Sequence, residues 1–160
     1  MTYPAQAALP RVRLRLAEVG LMVALLVLAA HGGALFAPFQ WDDFEVVLPG
    51  RGRHTLRDAP GYFLPDYWAR AESLRLRPYR PVREIWFTML YRAFQDRAAW
   101  WHAAALAVHA FAAVLFYAAA ARLLGREGPA RFAALLFAEH PVNTESFAWA
   151  KKAGEVLALA

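Results

Sequence analysis

The chain contains no cysteine, which excludes a disulfide framework and any thiolate metal site. Charge is scarce as well. Charged residues make up 19% of the chain, against about 25% in an ordinary soluble domain. Lysine is nearly absent, so the net charge of +5 rests on sixteen arginines and two lysines. No internal repeat or low-complexity tract is present. Basic chains invite a nucleic-acid reading, but these arginines flank apolar runs and form no solvated stripe, so nucleic acid is not an expected partner. What remains abundant is hydrophobicity, at 59% of the 160 residues, and this makes the membrane the expected environment.

Long uncharged runs support that expectation. Val19 to Pro38 is twenty residues without a formal charge, and at 1.5 Å per residue it reaches about 30 Å, the thickness of a hydrocarbon core. Ala98 to Ala121 gives twenty-four more between Arg97 and Arg122. A third run, Pro129 to Ala150, is apolar but interrupted by Glu139, His140 and Glu145. The expected fold is therefore all-α and polytopic, with spans near 18–38, 98–122 and 129–149 and the start of a fourth. A secretory signal peptide is the alternative for the first run, because "RVRLR" precedes it and small residues follow at Ala29 and Ala30. The second run keeps the chain in the membrane either way.

Arginine placement predicts the orientation. Arg11, Arg13 and Arg15 precede the first span, and Arg122, Arg126 and Arg131 lie between the second and third. The positive-inside bias then puts residues 1–15, a short tail, and the second connection in the cytoplasm. The segment 39–97 is accordingly external. Its arginines do not contradict this, since the bias weakens over loops longer than about 60 residues. The expected protein is an integral, multi-pass one, in the plasma or inner membrane if bacterial.

The external segment interleaves aromatic residues with arginine, a mixture suited to the lipid headgroup layer. It predicts two short interfacial helices. One starts near Pro65 and runs to about Leu76. The other starts at Pro81, with Val82, Ile85, Trp86, Met89, Leu90, Ala93 and Phe94 on its apolar face. The stretch between Trp41 and Pro60 reads as irregular loop. The chain stops at "EVLALA" inside an apolar run, so it is expected to be the N-terminal part of a larger protein.

This topology places "WDD" at 41–43, "RPYRPV" at 77–82 and "HPVNTE" at 140–145 on one side of the membrane. Asp42 and Asp43 have two readings: a helix cap, or a general base that accepts a proton from an attacking hydroxyl. Arg77, Arg80 and Arg83 either anchor on lipid phosphates or bind a phosphate ligand through bidentate guanidinium forks. Pro141 breaks the third run where Glu139, His140, Asn143 and Glu145 crowd together. Ionisable groups at membrane depth tend to face a cavity or a partner, so a span that stops there with a recessed polar end describes a cavity floor. His102 and His109 share a helix face seven residues apart, too far for a metal pair, and read as packing or helix–helix hydrogen-bond residues.

Four pieces in order carry a resemblance: "WDD", "YRPV", "WWHAAALAVHAFAAVLFYAAAARLLG" and "FAALLFAEHPVNTESFAWA". The chain resembles the N-terminal region of the GT-C superfamily of polytopic glycosyltransferases, nearest the O-mannosyltransferase-like branch that carries tetratricopeptide repeats. The resemblance implies an inverting membrane enzyme that moves a sugar from a polyprenyl-phosphate donor to a protein or glycan acceptor. It assigns the catalytic carboxylate to Asp42, with Asp43 its neighbour, and the donor phosphate to Arg80 with Arg77. His140 and Glu145 would line the same cavity. Asn143 stands where the family often has a second histidine. In "AKKAGE", Glu155 fills the usual acidic position and Lys152 stands for the usual arginine, shifted by one. No cofactor is implied. An oxygen-bound divalent cation is left open, because two carboxylates are too few to argue for one. The fragment alone is expected to be inactive. The competing class is a non-enzymatic membrane scaffold or transporter subunit whose broken third span lines a path. A small, complete three-span protein is the remaining alternative, which the abrupt C-terminus opposes.

Overall fold

A computed structural model describes residues 15–40, 43, 44, 55–64 and 79–149. Its described residues are helical or irregular, with no strand among them. Helix α1 (Leu16–His31) runs into a 3-10 turn at Gly32–Phe36. A second 3-10 helix spans Leu56–Phe63, followed by α2 (Pro81–Phe94), α3 (Ala98–Leu124) and α4 (Glu127–Glu139). A 3-10 turn at Pro141–Thr144 and the short α5 (Glu145–Ala148) complete the order. The helix expected from Pro65 to Leu76 and the start of a fourth span lie outside the described residues.

Local chemistry explains the helix ends. Glu18 in the first turn of α1 and His31 in its last complement the helix dipole. Pro81 begins α2 at the position where its missing N–H costs nothing. Gly125 closes α3 in the left-handed region at φ 64°, and its N–H bonds the Ala121 carbonyl, which turns the chain directly into α4. The α2–α3 junction is tighter. Gln95 sits at φ 54°, Arg97 N–H donates to the Phe94 carbonyl, and the Trp101 indole donates to the Gln95 carbonyl at 2.8 Å.

Three helices form the main core. Val19, Val23 and Val27 of α1, Ala105, Ala113 and Ala121 of α3, and Ala130, Ala134 and Ala138 of α4 are all buried. Each set follows a spacing of four or eight, so each lies along one row of its helix and offers a shallow groove to its neighbours. Small residues at such seams let backbones approach, which is how helices associate where apolar burial alone gives no preference over lipid. Arg15 N–H reaches the Tyr117 hydroxyl, while the His31 ring lies against His109. Helix α1 is thus antiparallel to α3. Because Arg15 also pairs with Glu127, and His31 with Glu139, α1 and α4 run in the same direction.

A second cluster joins Phe39, Phe87, Leu90 and Trp101, fastening the exit of α1 and the face of α2 to the first turn of α3. The apolar face expected on α2 is divided. Val82 and Met89 are each 50% exposed and Ala93 is exposed too, while Leu90 is buried and Trp86 and Phe94 pack against the cluster. The buried side carries Arg83, Glu84, Phe87, Thr88 and Leu90. Polar groups pair with one another on that side, beside Phe87 and Leu90.

Among the described residues, two helices are long and apolar enough to cross a membrane, Leu16–Phe36 and Ala98–Leu124. The third expected span, 129–149, is not one helix. Its 13-residue α4 covers about 20 Å and stops at Glu139, short of a core about 30 Å thick. Pro141 has no N–H to continue the ladder, and its ring restricts the residue before it to extended backbone. His140 accordingly adopts ψ 126°.

The loop expected between Trp41 and Pro60 also contains structure. Thr55 and Asp58 form a reciprocal cap, with Thr55 N–H donating to Asp58 Oδ2 at 2.7 Å, and this starts the 3-10 helix.

Candidate functional site

The end of the molecule that carries α2 gathers the first candidate group. Phe39 and Phe87 flank the Trp101 ring at centroid distances of 6.0 and 5.8 Å. That contact pins the segment leading into the aspartate pair. Gln40 N–H donates to Asp43 Oδ2 at 3.2 Å, while Asp43 N–H donates back to the Gln40 carbonyl at 2.8 Å. Asp43 is fully buried, and this reciprocal pair is the geometry of a helix-capping carboxylate. Asp42 lies outside the described residues.

Arg80 is the residue before Pro81 and is half-buried where α2 begins. Behind it sits a polar network that sequence reasoning missed. Arg83 and Glu84 are 4% and 5% exposed, and Arg83 Nη2 donates to Glu84 Oε1 at 3.0 Å. Neighbouring helix residues point in different directions, so both side chains bend toward one interior space. The guanidinium also lies over the Phe87 ring at 5.6 Å. Thr88 donates its hydroxyl to the Glu84 carbonyl at 2.8 Å, which leaves its oxygen to accept from the Tyr62 hydroxyl at 3.0 Å. Burial pushes the Tyr62 phenol above its ordinary 10.0, and the charges of Asp58 and Glu84 push the same way. The Thr88 contact opposes this only by turning its proton from the carbonyl to the phenolate. The available signal was the run Arg83-Glu84 itself, an acid beside a base on a helix otherwise rich in apolar residues.

The polar turn expected to floor a cavity is built at the end of α4. A helix end leaves its last carbonyls without intrahelical donors, and in a lipid environment each unsatisfied group is expensive. Side chains supply donors here. Asn143 Nδ2 donates to the Phe137 carbonyl at 2.7 Å. His109 Nε2 meets the Ala138 carbonyl at 3.0 Å, and since a carbonyl only accepts, His109 carries a proton on that nitrogen. His109 therefore serves as the helix–helix hydrogen-bond residue anticipated from its spacing. It lies eleven residues into α3, roughly 16 Å from that helix's start, so α4 ends level with the middle of α3. His140 accepts the Val142 N–H on Nδ1 at 3.2 Å, which directs its Nε2 away from the turn. His140 and Glu145 are exposed on this floor. His31, at the end of α1, stands 3.7 Å from Glu139.

The opposite end of the bundle is closed by charge. Glu127 accepts from Arg131 at 3.0 Å and from the Tyr117 hydroxyl at 3.1 Å, with Arg15 3.7 Å away. Arg131 also reaches Glu18 at 3.2 Å. The Arg131 hydrogen bond, aided by Tyr117 and Arg15 and opposed by burial, holds the Glu127 carboxyl below its ordinary 4.5.

Of the residues given site roles by the resemblance, Asp43, Arg80, His140, Asn143 and Glu145 are described; Arg83, expected on lipid or ligand phosphate, is instead buried against Glu84. Asp42, Arg77, Lys152 and Glu155 lie outside the described residues. Asp43 and Arg80 lie toward the α2 end of the bundle, with His140, Asn143 and Glu145 where α4 stops. Asn143 spends its amide on the backbone. Among the described residues no group of three or more histidine, aspartate or glutamate side chains is arranged to hold a metal ion.

Comparison with known proteins places this arrangement in context. Over 131 residues, 81% of this chain, it is 29% identical to protein O-mannosyl-transferase TMTC3 of Mus musculus. Over 135 residues, 83% of the chain, it is 27% identical to protein O-mannosyl-transferase TMTC3 of Homo sapiens. The chain is a distant homologue of these proteins and spans 14% of their length. No protein-family model and no solved structure matches it. The two membrane-length helices and this homology together support a membrane protein related to glycosyltransferases.

Proposed function

We propose that the chain is the N-terminal part of an inverting membrane glycosyltransferase. The full-length enzyme transfers a sugar, mannose by analogy with its relatives' name, from a polyprenyl-phosphate donor to an acceptor hydroxyl. The acceptor is a protein or glycan on the external face. The observation that carries this reading is one of placement. Phe39, which leads into the aspartate pair, packs against the first turn of α3, Arg80 enters α2 beside the same aromatic cluster, and "HPVNTE" follows where α4 stops short. The charged knot of Arg15, Glu18, Glu127 and Arg131 marks the other end, and it supports a cytoplasmic N-terminus.

In this mechanism Asp42 takes the proton of the attacking hydroxyl as oxygen displaces the lipid phosphate at the anomeric carbon. The reciprocal bond between Asp43 and Gln40 supports giving Asp42 the base role, because Asp43 already has a cap to maintain. Arg80 and Arg77, with Lys152, neutralise the departing phosphate, a task that needs fixed cations more than a strong acid. His140 and Glu145, with Glu155, line the sugar cavity, and Asn143 holds its floor in shape.

The test is Asp42→Asn in the full-length protein, assayed with a polyprenyl-phosphate sugar in native membranes. Transfer is lost while expression and insertion are unchanged. Turnover at the wild-type rate would remove Asp42 from the mechanism, and measurable transfer by residues 1–160 alone would overturn the need for later spans.

A further inference from the structure

The clearest group left unused by this mechanism is His31 with Glu139. Both sit at helix ends, half-buried where α1 and α4 meet on α3. His31 Nε2 is 3.7 Å from Glu139 Oε2, and the side chains are 14% and 34% exposed. The other carboxylate oxygen, Oε1, is shielded and has no hydrogen-bond partner among the described residues. A polar side chain on a helix seam is costly unless a polar partner meets it, and His31 is the side chain that faces Glu139 across the α1–α4 seam. The surroundings hold both partners rigidly. His109 lies edge-on to His31, with ring centroids 6.5 Å apart, and stacks on Phe137 at 5.7 Å. Its Nε2 proton goes to the Ala138 carbonyl, the residue before Glu139.

Each partner leads directly into one of the candidate site segments. From His31 the chain makes one 3-10 turn, reaches Phe39 and enters the aspartate pair. From Glu139 it passes straight into His140 and the floor. The contact therefore joins the base of one segment to the base of the other.

We propose that His31 and Glu139 form a partly buried clamp that sets the distance between the aspartate segment and the cavity floor. They are positioning residues, and their effect on turnover rests on the transferase reading above. Glu139 keeps His31 facing α4, His31 holds the end of α4 against α1, and His109 fixes the height at which they meet.

A double-mutant cycle in the full-length protein tests this, with thermal unfolding and sugar transfer measured on the same preparations. His31→Gln and Glu139→Gln each lower the unfolding midpoint by roughly 2–4 °C, and the double variant is no worse than either single one. The exchanged pair, His31→Glu with Glu139→His, recovers most of the midpoint. For transfer, each single variant loses roughly ten- to a hundred-fold in kcat with KM little changed, and the exchanged pair recovers kcat. Additive midpoint losses, or an exchanged pair as unstable as the worse single variant, would overturn the clamp. Coupled midpoints with kcat unaffected would reduce it to a packing contact and overturn the positioning role. If the wild type transfers no sugar, the functional reading fails while the unfolding cycle still decides the clamp.

Discussion

Replacing Glu84 with glutamine removes the negative half of the ion pair buried in the first turn of α2. Arg83 keeps its charge, 4% exposed, facing a neutral amide oxygen where the carboxylate stood and, among the described residues, the Phe87 ring beneath it. Breaking a buried pair from one side costs about 3–5 kcal/mol, because an uncompensated charge remains in a poor solvent. At roughly 2–4 °C per kcal/mol for a domain of this size, the midpoint falls by about 6–20 °C. Arg83→Met leaves Glu84 in the mirror situation and has a loss of the same order. Removing both charges, Arg83→Met with Glu84→Leu, is far milder than the sum, since apolar groups of similar volume replace a pair that was itself costly to desolvate. Thermal unfolding of purified protein in detergent micelles, followed by circular dichroism, measures all four members of the cycle. If Glu84→Gln shifts stability by less than about 1 kcal/mol, or if the double variant matches the sum of the singles, the pair is solvated. The account of α2 as a helix with its polar face inward is then wrong.

The remaining expectations are simpler. Glu127 has a depressed carboxyl, so its contribution is present above 4.5 and is lost as pH falls through its folded value. Glu127→Gln should lower the neutral-pH midpoint and flatten the acid arm of the midpoint–pH curve; unchanged slopes would refute the role of the Arg131 contact. Gln95 sits at φ 54° and ψ −132°, the geometry of the first central residue of a type II′ turn, which glycine adopts freely. Gln95→Gly should raise stability by about 1 kcal/mol in the same unfolding assay, and a loss would show that the Gln95 side chain compensates for its strained position.

Much of the fold was legible from the chain because apolar length is a local property. Leu16–Phe36 and Ala98–Leu124 lie within a few residues of the expected spans, and Pro81 marked the start of α2. Pro141 marked the break in the third run for the same kind of reason, a missing N–H. The face of α2 was not legible. Periodicity finds an apolar row but does not say whether lipid or protein covers it, and Val82 and Met89 turned outward. The 3-10 helix at Leu56–Phe63 was hidden by Arg57, Asp58 and Pro60, although Thr55 and Asp58 form a readable cap. For the candidate site, sequence named the residue types and which end of the spans they occupy. It left Asp43 divided between cap and catalyst until the bond from Gln40 supplied a reason to prefer the cap.

The sequence alone determined that this chain is helical and where its long helices run, because hydropathy and proline act over one or two turns. Tertiary structure decided which polar groups meet: Arg83 with Glu84, Asn143 with the Phe137 carbonyl, His31 with Glu139. Each of these rests on where a side chain is held by the packing around it. The stripes of alanine and valine on α1, α3 and α4 bring those helices close enough for such contacts to form.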